Sequence, residues 1–280
     1  MKNTLLTIAS VIFALLTLSG GGRDAQPLKV MSFNIRYGAA EDGPNSWEFR
    51  KEAVFEMIND QQPDIMGLQE ALDFQLDAID ANCPDYEYVG VGREDGVSDG
   101  EHMAIFWNKK KIKCLDWGTF WLSETPEVPS QGWDGACLRT ATWTYLESIE
   151  TGKKFLYINT HLDHVGMVAQ REGLKLVMQR LEDLNDGSMP SIVTGDFNAG
   201  EGSPIFEEID ARMKNARNTA AVTDKRYTYN DWRDEETYCA IDYIFYAGFK
   251  ECSKFERVTQ QYAGVKYVSD HYPVTALLHW

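Results

Sequence analysis

The segment 191–199 (SIVTGDFNA) holds the first residues whose types and spacing suit chemistry. Its apolar and β-branched beginning, bounded by Gly195, is typical of a short buried strand. Side chains two positions apart on a strand point to the same side, so we expect Asp196 and Asn198 to face one place at the strand's carboxyl end. A carboxylate beside a carboxamide can orient a water molecule and accept its proton. An ordinary turn is the alternative interpretation of the same residues.

More polar residues occur where other predicted strands end or begin, and one lies inside a strand. Asp242 sits within the apolar segment 240–245, where a carboxylate is costly unless it has a partner. His271, just before the last predicted strand, is a natural partner, and several carboxylates close together would need a cation. The remaining candidates of this kind are Asn34, Glu70, His161 and Asp270. Taken singly, Asn34 also suits a turn and Glu70 a helix cap.

The elements that must position these residues are many short strands with a few helices between them. Apolar spacing predicts helices over 47–59, 71–79 and 167–184, with a further short helix opening at Ser203 and Pro204. Strands are predicted over 29–35, 64–68, 86–91, 103–107, 111–121, 136–146, 154–159, 189–194, 241–246, 255–258 and 273–278. Strands and helices alternate irregularly, which predicts an α/β fold of two mixed sheets packed face to face with helices outside.

The first 22 residues differ in composition from the remainder of the chain. Lys2 precedes an apolar stretch, 5–18, and small residues follow it, which is typical of a secretory signal peptide. The stretch is short for a membrane span, and an uncleaved anchor is the alternative. We therefore expect residues 1–22 to be a signal peptide and residues 23–280 to form one domain. The mature protein is expected to be exported, periplasmic or extracellular, without stable membrane insertion.

The chain of 280 residues is strongly acidic, with a formal net charge of −16. Such a charge repels polyanions at long range, which argues against a tight, sequence-independent grip on long nucleic acid. A local basic pocket is compatible with a negative net charge. The five Cys residues form no C-x-x-C pair, so a zinc knuckle is not expected. The pairing of the cysteines and the oligomeric state do not follow from the sequence.

Six motifs that occur in chain order resemble those of one family. They are FNIR at 33–36, LQE at 68–70, NTHLDH at 159–164, GDFN at 195–198, IDYIF at 241–245 and SDHYPV at 269–274. Together they resemble the endonuclease/exonuclease/phosphatase superfamily, over residues 28–280. The resemblance implies the DNase I-like four-layer sandwich, in which two mixed β-sheets are flanked by helices. It also implies magnesium-dependent cleavage of a phosphate ester.

By motif, the resemblance implies that Asn34, Glu70 and Asp270 lie at the metal, with Glu70 as the principal ligand. Oxygen ligands that include one or two carboxylates suit Mg²⁺, which keeps several waters and binds substrate phosphate. Such an ion polarises a phosphoryl oxygen and stabilises the leaving oxyanion. The expected cofactor is therefore Mg²⁺, with Mn²⁺ as an alternative.

The resemblance implies further roles beside the metal. His161 stabilises charge on the phosphoryl oxygens, and Glu101 matches an acid that orients this histidine in the deoxyribonuclease branch. Asp196 and Asn198 position the attacking water and the phosphate.

Asp242 and His271 are implied to form a catalytic pair. An aspartate beside a histidine holds one imidazole tautomer and supports its protonated form. Asp196 and His271 both stay candidates for the group that takes the proton from water.

Residues beside these motifs are candidates for substrate binding. They are Arg36, Arg139, His164, Arg171 and Trp133, the last of them in the irregular segment 122–135. His161 and His164 could instead bind a transition metal together with Asp163, and Trp133 could instead belong to the core.

Two stretches narrow the expected function. Residues 199–201 lack the basic continuation that the 5-phosphatase branch carries after GDFN, and residues 118–135 resemble exported bacterial members. We therefore expect an exported Mg²⁺-dependent phosphoesterase that cleaves a phosphodiester or phosphomonoester of compact size by metal-assisted attack of water. An endo- or exonuclease is the alternative enzyme. A non-catalytic binding module on the same fold is the alternative from another class.

Overall fold

A computed structural model describes residues 25–234 and 240–280, so the predicted signal peptide lies outside the described residues. One sheet consists of β1 (Leu28–Asn34), β2 (Ile65–Gln69), β3 (Tyr86–Val89), β4 (Ile105–Asn108), β10 (Val222–Thr223), β12 (Glu251–Arg257) and β13 (Val274–His279). The other consists of β5 (Ile112–Trp121), β6 (Thr140–Ser148), β7 (Lys154–His161), β8 (Ser191–Asp196), β9 (Lys214–Asn215) and β11 (Asp242–Ala247). Their strand orders are β10-β12-β13-β1-β2-β4-β3 and β5-β6-β7-β8-β11-β9. Both sheets mix parallel and antiparallel pairs.

The helices are α1 (Trp47–Gln61), α2 (Asp73–Asn82), α3 (Met167–Leu184), α4 (Glu207–Asp210) and α5 (Ala216–Thr219). Two 3-10 turns, Gly43–Asn45 and Pro204–Phe206, accompany them. None of the helices in the described part of the chain is long and apolar enough to cross a membrane.

Three apolar clusters hold four layers together. The central cluster joins residues of both sheets, such as Val30, Tyr157 and Ile192. A second cluster packs α1 and α2 against the first sheet, and a third packs α3 against the second sheet. Burial of apolar surface on both faces of each sheet is the main favourable term in such an arrangement. The predicted four-layer sandwich of two mixed sheets flanked by helices is confirmed.

Most predicted elements are present with shifted ends. Helix α3 has the predicted bounds, whereas the strand predicted from residue 136 begins at Thr140. The amide of Ala136 instead donates to Asp163 Oδ2 at 2.9 Å, which takes this segment out of the sheet. The two-residue strands β9 and β10 were not predicted, because so short a segment carries no hydrophobic period.

The register of the second sheet brings three candidate residues side by side. In the parallel pair β7–β8, His161 lies opposite Asp196. In the antiparallel pair β8–β11, Asp242 lies opposite Asp196 from the other side. In the first sheet, Asn34 at the end of β1 lies opposite Gln69 at the end of β2, so Glu70 follows directly. The site therefore lies at one end of the strands of both sheets. There β1, β2, β7 and β8 end and the antiparallel β11 begins.

Candidate active site

Three residues that follow the ends of strands have left-handed backbone conformations. The φ angles are 67° at Arg36, 62° at Glu70 and 48° at Asn198. Such angles are uncommon for residues other than glycine, and they cluster at functional sites, where surrounding contacts hold them. Each of these turns redirects the chain directly after β1, β2 or β8. The strand ends therefore place their polar side chains in a common cleft, which all three line.

Asp196 is the central acceptor of this cleft. Its Oδ2 accepts a hydrogen bond from Asn34 Nδ2 at 3.0 Å, and its Oδ1 accepts one from the Asn198 amide at 2.9 Å. The same Oδ2 lies 3.5 Å from His161 Nε2 and 3.7 Å from His271 Nε2. Burial raises the pKa of Asp196 to about 7, against the opposing charge of His271. This carboxylate is therefore poised to exchange a proton near neutral pH.

Asp242 and His271 form the predicted pair. His271 Nδ1 lies 2.9 Å from Asp242 Oδ2 and 3.2 Å from Oδ1, and both side chains are buried. Burial lowers the pKa of His271, but the charges of Asp242 and Asp196 outweigh it and hold the pKa well above its ordinary value. The imidazole is therefore protonated and lies between two carboxylates. The ring of Tyr229 packs against it with centroids 4.8 Å apart.

Glu70 and Asp270 provide two further carboxylates in the cleft, and the Asn34 side chain connects Glu70 to Asp196. Asn34 Nδ2 donates to Glu70 Oε1 at 2.9 Å, and the Tyr37 amide donates to Glu70 Oε2 at 2.7 Å. Burial raises the pKa of Asp270, and the charge of Glu70 raises it further, while Arg36 Nη1 lies 3.6 Å away. The ligand atoms of Glu70, His161 and Asp196 lie within 4.8 Å of one another, close enough to share a divalent cation, and Asp270 adds a further carboxylate to the same cleft. The residues present therefore fit the metal that the sequence analysis expects.

His161 is neutral in this environment. Burial lowers its pKa well below the ordinary value, and the charge of Arg139 lowers it further. Asn198 Nδ2 lies 2.9 Å from His161 Nε2, so this nitrogen accepts and the proton resides on Nδ1. Nδ1 has no hydrogen-bond partner among the described residues.

The implied role of Glu101 needs correction. Its Oε2 accepts a hydrogen bond from Arg93 Nη1 at 2.7 Å, and the structure shows no hydrogen bond from Glu101 to His161. The guanidinium of Arg93 takes the carboxylate because a charge-assisted bond is stronger than one from a neutral imidazole. Glu101 lines the cleft, but His161 Nε2 is hydrogen-bonded by Asn198 and lies 3.5 Å from Asp196 Oδ2.

A basic wall, formed by Arg36, Arg93 and Arg139, faces the cleft of this acidic protein. Arg139 is 7% exposed, its Nη2 lies 3.0 Å from His164 Nδ1, and its Nε lies 3.7 Å from Asp163 Oδ2. The cleft has a volume of about 450 Å³. Arg93 was missed in the sequence analysis, because it lies in a turn that carries neither a periodic pattern nor a motif.

Arg139 also decides against a transition metal beside His164. Cys137, Asp163 and His164 come close enough to share an ion. Arg139 places a positive charge against two of them, and Asp163 accepts hydrogen bonds from the amides of Ala136, Val165 and Gly166. Asp163 therefore shapes its own loop, and the electrostatic need for a cation is already met.

Two predicted substrate-binding residues lie outside the cleft lining. Arg171 projects from α3 and pairs with Glu172 at 3.0 Å, on a part of the surface where it lines a different depression with Lys175. Trp133 is partly buried, with its amide donating to Glu124 Oε2 at 3.3 Å. The sequence analysis placed both near the cleft because they adjoin matching segments, which says nothing about side-chain direction. Arg36, Arg139 and His164 do line the cleft, as predicted.

The fold and this arrangement of carboxylates and histidines define a metal-dependent phosphoric ester hydrolase. The family model described as "Endonuclease/Exonuclease/phosphatase family" matches residues 31–271, and the chain belongs to this family.

Individual relatives support the same assignment. A mannosyl-6-phosphatase structure from Bacteroides thetaiotaomicron is 32% identical with a TM-score of 0.87, covering 90% of this chain and 100% of that one. An endonuclease/exonuclease/phosphatase structure from Bacteroides vulgatus is 39% identical with a TM-score of 0.85, covering 91% of this chain and 99% of that one. Human nocturnin is 26% identical over 283 residues, which span 88% of this chain and 63% of nocturnin.

Proposed function

We propose that this protein is an exported, Mg²⁺-dependent phosphomonoesterase that hydrolyses a sugar phosphate. The observation that carries the proposal is the cleft of about 450 Å³, which is lined by the candidate catalytic and metal-binding side chains except the fully buried Asn34 and Asp242. This volume lies in the range of small-molecule sites and suits a phosphorylated sugar. Similarity to a mannosyl-6-phosphatase along that protein's whole chain supports a sugar 6-phosphate as the substrate.

Glu70 and Asp270, with Asn34 beside them, are the residues that would hold Mg²⁺. When bound, the ion supplies a Lewis acid for the phosphoryl oxygens and for the leaving oxygen. Asn34 also has a second role, because its Nδ2 donates hydrogen bonds to both Glu70 and Asp196. It thereby fixes the distance between the metal-side carboxylate and the hydrolytic carboxylate.

Asp196 is the better candidate for the group that takes the proton from water. His271 already carries a proton between Asp242 and Asp196, so it has no free lone pair to offer at neutral pH. Asp196 Oδ2 is buried in the cleft, and its raised pKa matches a general base that works near neutrality. The protonated His271 then offsets negative charge beside the reacting phosphate.

Neutral His161 and the basic wall have a binding role in this proposal. His161 lines the cleft, with its Nε2 accepting from Asn198 Nδ2 at 2.9 Å, and its partnerless Nδ1 is buried, so this proton reaches a phosphate oxygen only if the ring turns. Arg139 and Arg93 add positive charge in a dry cleft wall, where charge-assisted hydrogen bonds to phosphate are strong. The acidic remainder of the surface repels long polyanions, which favours a small ester over nucleic acid.

The test is a substrate panel with purified protein lacking residues 1–22, assayed with Mg²⁺ and with EDTA. The panel contains mannose 6-phosphate, methyl mannoside 6-phosphate, bis(4-nitrophenyl) phosphate, and single- and double-stranded oligonucleotides. We expect phosphate release from the sugar phosphates with the highest kcat/KM, abolished by Asp196→Asn. Preferred cleavage of an oligonucleotide, with no turnover of sugar phosphates, would replace this function by the nuclease alternative.

A further inference from the structure

A group of buried polar residues, Gln69, Asn159 and Thr194, lies at the interface between the two sheets next to the cleft. We call this group the seam. Asn159 on β7, which is fully buried, donates from Nδ2 to Leu68 O on β2 at 2.8 Å and to Ala104 O, directly before β4, at 3.0 Å. Its Oδ1 accepts from Gln69 Nε2 at 2.7 Å and from Thr194 Oγ1 at 3.2 Å. All four hydrogen-bonding positions of this carboxamide are thus occupied.

Gly67 makes room for the carboxamide. A Cβ on Gly67 would lie 2.4 Å from Asn159 Oδ1 and 2.7 Å from Thr194 Oγ1, which is too close for either contact. Gly67 is therefore required by close approach of the two sheets and not by an unusual backbone angle. Gln69 of the LQE motif and Asn159 of the NTHLDH motif are therefore hydrogen-bonded to each other across the interface between the sheets.

The seam is not arranged for stability alone. Much of the remaining contact between the sheets is apolar, as at Val30 and Ile192, although Tyr157 Oη also donates to Met31 O at 3.4 Å. Gln69 Oε1 is buried and has no partner in the described ranges, which destabilises the folded state. Fully used polar groups in a dry interior specify one arrangement of the surrounding structure, whereas apolar contacts tolerate sliding.

The members of the seam lie next to the reactive residues in the sequence. Gln69 immediately precedes Glu70, whereas Asn159 and Thr194 lie two positions before His161 and Asp196 on their strands. Residues two apart on a strand share a face, so a shift of the seam moves the reactive side chains with it.

We propose that Asn159 is a positioning residue that sets the spacing and register of the two sheets under the cleft. Its bonds to Leu68 and Gln69 hold the sheet carrying Glu70 against the sheet carrying His161 and Asp196. Asn159 touches neither substrate nor metal, and it acts through the backbone of β2 and the Gln69 side chain. The inference rests on the hydrolase class and not on which phosphate ester is the natural substrate.

The test compares Asn159→Ala with Ile192→Ala, a control on β8 in the same apolar interface, equally buried and without polar contacts. Both remove buried atoms, so both should lower the melting temperature. Turnover of 4-nitrophenyl phosphate and bis(4-nitrophenyl) phosphate is measured well below the melting temperature, and Mg²⁺ affinity is measured by calorimetry.

We expect Asn159→Ala to reduce kcat roughly 10²-fold, the scale of a displaced reacting group, with little change in KM. Its Mg²⁺ affinity should fall because Leu68 and Gln69 lose their bonds to Asn159, so the adjoining Glu70 shifts relative to Asp270. Ile192→Ala should keep both quantities near those of the wild type. Equal kcat and Mg²⁺ affinity in the two variants would overturn the proposal. If neither 4-nitrophenyl ester is hydrolysed, the Mg²⁺ affinities measured by calorimetry decide the question alone.

A second pair of variants tests the same contact from the other side. Gly67→Ala places a methyl group where the Asn159 amide lies, and should reduce kcat as Asn159→Ala does. In the Asn159→Ala background, Gly67→Ala should cost less than it does in the wild type, because only the close contact with Thr194 Oγ1 remains. Fully additive losses would count against the proposal. If Asn159→Ala does not fold, Gln69→Met removes the Nε2 donor at similar volume and gives the same readout.

Discussion

Asp242 lies directly opposite Asp196 in the β8–β11 ladder, and the protonated imidazole of His271 contacts both carboxylates. Two buried acids on neighbouring strands would repel each other strongly without a cation between them. His271 comes from the segment before β13 in the other sheet, so it joins the two sheets electrostatically. This relationship makes Asp196, Asp242 and His271 a single electrostatic unit.

Asp242→Asn keeps the shape of the side chain but removes its charge. We expect turnover to fall by roughly 10²-fold or more, the scale of a lost acid–base or orienting group. Mg²⁺ affinity should change little, because Glu70 and Asp270 remain. Kinetics of Asp242→Asn, His271→Ala and the double variant check this. A double variant little worse than either single one is expected, whereas additive losses would show that the two residues act separately.

The stability of the metal-free protein should fall as the pH rises above neutrality. The pKa of His271 is higher in the folded state than the ordinary 6.5, so the folded state binds this proton more tightly. The resulting stabilisation is present below the unfolded pKa and is lost as the pH rises through the folded one. Melting temperatures in EDTA from about pH 6 to about pH 9 measure it, since an ordinary histidine titrates within that window. In Asp242→Asn this pH dependence should flatten, and an unchanged profile would contradict the assignment.

Activity should depend on a divalent metal held by Glu70. Glu70→Ala removes the principal oxygen ligand, so most turnover should be lost and Mg²⁺ titration should shift to higher concentration. Glu48→Ala, at an exposed glutamate on α1 that pairs with Lys51, is the matched control and should behave as the wild type. Equal rates in EDTA and in Mg²⁺ would contradict the metal requirement.

Arg139 and Arg171 offer a matched comparison of substrate binding. Arg139 is buried in the cleft wall, whereas the Arg171 side chain is 60% exposed on α3. Arg139→Met should lower kcat/KM by roughly 10-fold to 100-fold, the worth of a hydrogen bond to a charged group. Arg171→Met should leave kcat/KM unchanged. Steady-state kinetics on the preferred phosphate ester decide it, and an effect of Arg171→Met as large as that of Arg139→Met would reject the basic wall as the binding surface.

Residues 1–22, or a segment close to it, should be removed in the native host. The basic start, short apolar stretch and small-residue exit are the reasons. Intact-mass spectrometry of the protein from periplasmic and culture fractions is the measurement. A cytoplasmic protein that retains Met1 would contradict both the signal peptide and the proposed export.

Local pattern and ordered motifs predicted a large part of this molecule. The apolar spacing of α3 set its bounds, because a helix that covers a sheet must repeat its apolar residues every three or four positions. Asp242 was singled out because a carboxylate in an apolar strand needs a partner, and His271 is that partner. These inferences succeeded because each depends on a few neighbouring residues or on the requirement that buried charge be paired.

Contacts between distant segments were decided only by the tertiary structure. Arg93 takes the carboxylate of Glu101, and Arg171 faces away from the cleft, because side-chain direction depends on how an element is packed. Arg50 lies on a helix next to solvent, yet its buried guanidinium donates to the carbonyls of Asn45, Val268 and Arg36. Burial of that kind, like the seam at Asn159, arises where residues far apart in the chain meet, and no local period encodes which groups will meet.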